Sequence, residues 1–144
     1  MKQIFLAIGL ALLFSCARQS QKPIDTDPGN CESATVVNSD KFSQKSPAGF
    51  TITKAEIKGD CLEITITASG CDGKTWKAEL VSDGAVAESY PPQMYLKVLL
   101  TSSEECLAVL SKEFSYNLKS LRVPGMNKVS LNLQGWNQQL LYQY

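Results

Sequence analysis

A chain of 144 residues has room for one domain and some leader or linker, and its 14 basic and 14 acidic residues cancel. The charges are scattered with no run of one sign, which excludes the basic patch that nucleic acid or an anionic lipid surface would require. The chain has no histidine, so histidine-activated nucleophiles are excluded, and with no Cys-x-x-Cys pair neither a metal nor any other cofactor is expected.

Residues 1–15 read as a bacterial export signal. Lys2 supplies the positive start and residues 4–14 an apolar run of eleven. A bilayer core needs roughly twenty residues, so a cleaved signal is expected. Removing it takes away Lys2 alone and leaves 13 basic against 14 acidic residues. Leu13-Phe14-Ser15-Cys16 resembles the lipobox of bacterial lipoproteins, in which a small residue precedes the cysteine that receives lipid and becomes the new N-terminus. The competing reading is signal-peptidase cleavage after Ala17, with Ser15 at the third position before the cut. Cysteine arithmetic favours the lipobox: five cysteines are odd, and committing Cys16 leaves four. The resemblance implies a membrane partnership through lipid on Cys16, each buried CH₂ adding roughly 0.8 kcal/mol. Ala17, rather than aspartate, implies outer-membrane delivery, with the periplasmic or surface side left open.

Residues 16–30 are polar and carry Pro23, Pro28 and Gly29 without apolar periodicity, as a flexible tether would. Asp25, Asp27 and Asn30 have the start of a calcium-loop spacing but none of its later ligands. A solvated linker is the better reading.

From residue 31 to 144 the dominant period is two. A short strand is expected over residues 34–38. Phe50 and Ile52 lie on the opposite parity to Ala55 and Ile57, which predicts a strand with a bulge near Lys54. Leu62, Ile64, Ile66 and Ala68 alternate with polar residues, then Trp76, Ala78 and Leu80 do the same. Gly70-Cys71-Asp72-Gly73 between these runs predicts a hairpin. Met94 to Leu100 and Val129 to Leu133 give two more strands. Leu107, Leu110 and Phe114 fit a helix face, yet their neighbours favour a strand. Residues 136–144 offer a last one. Seven to eight short strands predict an all-β fold, a two-sheet antiparallel β-sandwich of immunoglobulin-like type with two disulfides.

Ser69-Gly70-Cys71, Ser89-Tyr90-Pro91-Pro92, Cys106 and Phe114-x-Tyr116-Asn117-Leu118-x-x-Leu121 together resemble the NigD-like lipoproteins of Bacteroidetes over about residues 50–134. The resemblance implies an exported β-sandwich on a lipid anchor, of unsettled biochemical role. That family often carries a histidine where this chain has Lys74, so no site built on the histidine transfers.

An exported chain is in oxidising territory, which predicts that Cys31, Cys61, Cys71 and Cys106 form two structural bridges. Cys61 and Cys71 bracket one extended strand and would lie about 30 Å apart at roughly 3.3 Å per residue, far beyond disulfide reach. If the following strands run down and then up, Cys106 emerges beside Cys71. The pairs are then Cys71–Cys106 and Cys31–Cys61.

Trp76, Trp136, Tyr90, Tyr95, Tyr116, Tyr142 and Tyr144 could line a sugar- or peptide-binding surface or simply fill the core. Trp76 follows the apolar parity and is expected inside. Tyr142 and Tyr144, at the terminus, are the aromatics expected to be exposed for ligand binding. Asp60, Asp72, Asp83 and Glu63 are the carboxylates a hydrolase would draft, but the three aspartates lie in turn-like sequence beside glycine. No catalytic residue is assigned. The expected function is a non-enzymatic binding or interaction module at the cell envelope, its partner a protein, a peptide or a glycan. A carboxylate-dependent hydrolase and a structural or inhibitory envelope component are the alternatives.

Overall fold

A computed structural model of the chain describes residues 30–144. The expected signal, Cys16 and the tether up to Gly29 lie outside the described residues. The rest is a two-sheet β-sandwich.

In the first sheet, β3 (Thr51–Lys58) and β4 (Cys61–Gly70) form a hairpin whose turn uses Gly59 at φ +56°, a left-handed conformation that suits glycine. β7 (Ala108–Asn117) closes on the other flank of β4, from Cys61 opposite Asn117 to Gly70 opposite Ala108. β1 (Ser33–Ala34) runs parallel to the end of β7. Leu62, Ile64, Ile66 and Ala68 of β4 point into the core. The bulge in β3 falls between Ile52 and Lys54, as the parity switch predicts.

The second sheet is ordered β2 (Val36–Val37), β5 (Lys77–Ser82), β6 (Gln93–Thr101), β8 (Lys128–Leu133) and β9 (Leu140–Gln143). Met94, Leu96, Val98 and Leu100 of β6 meet Val129, Leu131 and Leu133 of β8 in the core, with Trp76 and Leu80 beside them. Tyr116 crosses the core and its hydroxyl donates to the carbonyl of Ala78 at 3.0 Å. Leu110 and Phe114 lie in strand β7, and Leu107 just before it, so this segment forms no helix.

Three expectations are corrected. The runs at 62–69 and 75–81 do not pair as a hairpin: both flanks of β4 are taken by β3 and β7, so the chain crosses to the other sheet. Nor are the sheets purely antiparallel, because β1–β7, β2–β5 and β6–β8 are parallel. Parallel neighbours need a crossover, and the route from β6 to β8 runs through β7 in the opposite sheet. Finally, residues 34–38 are not one strand. The extended chain splits at buried Thr35, giving one short strand to each sheet.

The chain then folds back as α1 (Ser39–Ser43), capped by the Asn38 side chain accepting from the Lys41 N–H at 2.8 Å. This helix packs on β5, where Lys41 reaches the outward-facing Glu79 at 2.9 Å. It lies over the outer face beside Glu79 of β5 and Lys97 of β6, while Tyr95 of β6 and Leu141 of β9 on the same sheet stay exposed.

Candidate functional site

Both disulfides join the expected partners. Cys31–Cys61 ties β1 to the start of β4, and Cys71–Cys106 ties the end of β4 to the segment entering β7, with Cα separations of 5.5 Å and 4.9 Å. The pairing argument survives the lost hairpin because it needed only a reversal after β4 and a return along β6: a crossing to the other sheet reverses the chain as well as a hairpin does, and β6 runs antiparallel to β5.

Beside Cys71, loop 71–75 wraps around the carboxylate of Glu104. Its Oε2 accepts the N–H groups of Cys71 (2.6 Å), Asp72 (3.2 Å) and Gly73 (3.0 Å). Its Oε1 accepts the N–H and hydroxyl of Thr75 at 3.1 and 3.0 Å. Desolvation opposes ionisation here, but the converging donors of Gly73, Thr75 and Cys71 hold the carboxyl down at about 2. Glu104 thus stands where an external anion would sit in an open nest. No local pattern in the sequence marks it.

The drafted carboxylates each have a partner. Asp72 accepts from the Lys74 N–H and pairs with its ammonium, Asp83 accepts from the Ala85 N–H at 3.0 Å, and Glu63 pairs with Lys58. Asp72 and Asp83 therefore serve their turns as expected. Asp60 does more than that. It accepts a 2.5 Å hydrogen bond from the Tyr142 hydroxyl and a 2.7 Å one from Arg122, and Lys119 lies 3.6 Å away. These contacts, the Tyr142 bond foremost, hold its carboxyl below the usual range. Burial and the same carboxylate push the Tyr142 phenol up to about 12.

The expected exposure of the terminal tyrosines is overturned at Tyr142, which is fully buried. Its position opposite Val129 in the β8–β9 pair turns the ring inward. Tyr144 is half-buried, with Arg122 stacked 5.1 Å from its ring centre and its hydroxyl accepting from the Val123 N–H at 2.8 Å. The aromatics that do face outward are Tyr90 and Tyr95, 80% and 48% exposed.

Tyr95 stands on the outer face of the second sheet, where the parallel β6–β8 register builds an ordered surface. Gln93 lies opposite Ser130, and Tyr95 opposite Asn132. Leu141 of β9 extends the first row beyond Ser130. The amides lock together: Asn132 Nδ2 donates to Gln93 Oε1 at 3.1 Å, and Gln139 Nε2 donates to both Gln93 Oε1 and Asn132 Oδ1 at 3.3 Å. At one end the Lys128 ammonium sits 5.2 Å from the centre of the Tyr90 ring.

At the other end Lys97, the next outward residue of β6, and Gln134, just past the end of β8, line a groove of about 450 Å³. Its origin is topological. β8 stops where the Gln134 N–H donates to the Leu96 carbonyl, and four residues further along β6 the Leu100 carbonyl is taken instead by the Ala48 N–H. The alternation of strand hydrogen bonding points the N–H and C=O of Val98 into the gap between these partners. Lys45, Ser46, Phe50 and Ile52 also line it. Lys97 donates to the Gln44 carbonyl and lies 5.1 Å from the Phe42 ring centre. The apolar parity of β6 and β8 predicts which residues face outward. Nothing local predicts that the two strands are neighbours and parallel, so the sequence offers Tyr90 and Tyr95 only as two aromatics among several and not their alignment with the amides.

No family model matches the chain, and no curated protein matches it by sequence. The fold is similar to the crystal structure of a protein of unknown function, DUF1344, from Bacteroides vulgatus. The TM-score is 0.52 at 10% identity, with 78% of this chain and 56% of that one covered. The chain thus spans little more than half of its structural neighbour.

Proposed function

We propose that the protein is a lipid-anchored binding module of the cell envelope, of the NigD-like kind, held by lipid on Cys16 and binding through the outer face of β6, β8 and β9. The carrying observation is that outer face itself: two exposed tyrosines and a pre-arranged cluster of side-chain amides beside a groove. Exposed aromatics with fixed polar groups are the usual composition of recognition surfaces. The lipobox-like residues before Cys16 and the two disulfides support an exported, envelope location.

Two measurements test this reading. Cys16→Ser is expected to shed the protein from membranes or to leave its precursor uncleaved, and normal processing with unchanged fractionation would overturn the anchor. For the surface, Tyr95→p-benzoylphenylalanine in cells should photo-crosslink to an envelope component, whereas the same replacement at Lys54 on the first sheet should not. Equal crosslinking at both positions, or none at Tyr95, would overturn the binding face.

A further inference from the structure

On the reading that this face binds, we infer its ligand class: the β6–β8 surface and its terminal groove take an acidic polysaccharide, a hydroxyl-rich chain bearing carboxylates. Three observations converge on that chemistry.

The first is that side chains must do the recognising. β6 pairs with β5 and β8, and β8 with β6 and β9, so apart from the gap at Val98 both flanks of these two strands are taken and a peptide cannot add to them as a further strand. The second is the match to hydroxyls. Each amide carries a carbonyl and two N–H groups, and the mutual bonds of Gln93, Asn132 and Gln139 fix their orientation without using them all. A hydroxyl both donates and accepts, as such a cluster demands. The Tyr95 ring adds a flat apolar face with a polar edge, suited to the two sides of a sugar ring.

Charge is the third observation, and it selects acidic over neutral chains. Lys128, Lys97 and Lys45 mark the two ends of the surface, and none is within ion-pair distance of a carboxylate among the described residues. Lys97 and Lys128 rest on a neutral carbonyl and on aromatic rings. The groove lining holds two lysines and no acid, in a chain whose charges balance overall. The run from Lys128 to Gln134 covers six residue steps, roughly 20 Å at strand spacing, which suits a chain of several sugars better than a single one.

The test measures binding of the detergent-purified full-length lipoprotein to immobilised polygalacturonate and, separately, to immobilised dextran. Wild type should bind polygalacturonate more tightly than dextran, and added salt should weaken that binding. Tyr95→Ala and Lys45→Gln should each weaken it by roughly tenfold with an unchanged melting temperature, while Lys54→Gln should have no effect. Equal affinity for wild type and both face variants would overturn the inference. Salt-insensitive binding to dextran, lost in Tyr95→Ala, would overturn the acidic assignment and leave the binding face standing. Binding to neither polysaccharide would overturn the ligand class, and the crosslinking result at Tyr95 then judges the face independently.

Discussion

The phenol of Tyr142 donates a 2.5 Å hydrogen bond to the carboxylate of Asp60, 82 residues earlier in the chain. Through it the last strand of the second sheet is fastened to the β3–β4 turn of the first, beside the Cys31–Cys61 bridge. Tyr142→Phe removes the donor and keeps the ring, so it should cost about 1.5 kcal/mol, the scale of a hydrogen bond to a charged group. Combined with Asp60→Asn, the two losses should fall short of additive in urea unfolding. Strict additivity would mean that the bond contributes nothing.

Glu104 makes stability depend on acid. Its carboxyl titrates at about 2 in the folded protein against an ordinary 4.5, so the folded state favours the ionised form. That contribution is complete above about pH 5 and is lost as pH falls from 4.5 toward 2. Asp60, also held low, acts in the same direction. Glu104→Gln should therefore unfold at lower temperature than wild type at pH 7, with the difference shrinking toward pH 2. A difference independent of pH would show that the loop donors do not sense the charge.

Gly70 is required by space. A Cβ there would lie 2.5 Å from Glu104 Oε2 and 2.9 Å from the Nε1 of buried Trp76. Gly70→Ala must displace the carboxylate or the indole, at about 1–3 kcal/mol for overpacking. Calorimetry should show a clear drop in melting temperature for Gly70→Ala and almost none for Gly49→Ala, where a Cβ meets nothing within 4 Å. Equal drops would remove the steric explanation.

The bridges enclose sequence separations of 30 and 35 residues, so each should stabilise by about 3–4 kcal/mol through the unfolded chain. Replacing Cys71 and Cys106 together by alanine should cost about that much in urea unfolding. Peptide mapping of unreduced protein should yield fragments joining Cys31 to Cys61 and Cys71 to Cys106. A fragment joining Cys61 to Cys106 would contradict the strand order itself.

What is local in this chain is legible from its residues. Alternation at Leu62–Ala68, Met94–Leu100 and Val129–Leu133 states which side of each strand is apolar, because a strand's side chains alternate whatever lies next to it. The parity switch before Ala55 marks the bulge, and the length of β4 alone forbids a Cys61–Cys71 bridge. The helix α1 is not legible: Asn38 caps it, but a single turn of five residues is too short to register as periodicity. Which strands become neighbours is not local. Gly70-Cys71-Asp72-Gly73 has hairpin chemistry, yet β7, arriving some forty residues later, takes the flank of β4 that β5 would need. Glu104 in its loop, Asp60 under Tyr142, and the alignment of Tyr95 with Asn132 all follow from that competition among strands. Periodicity tells a residue which way to face; only the packed sheets decide what it faces.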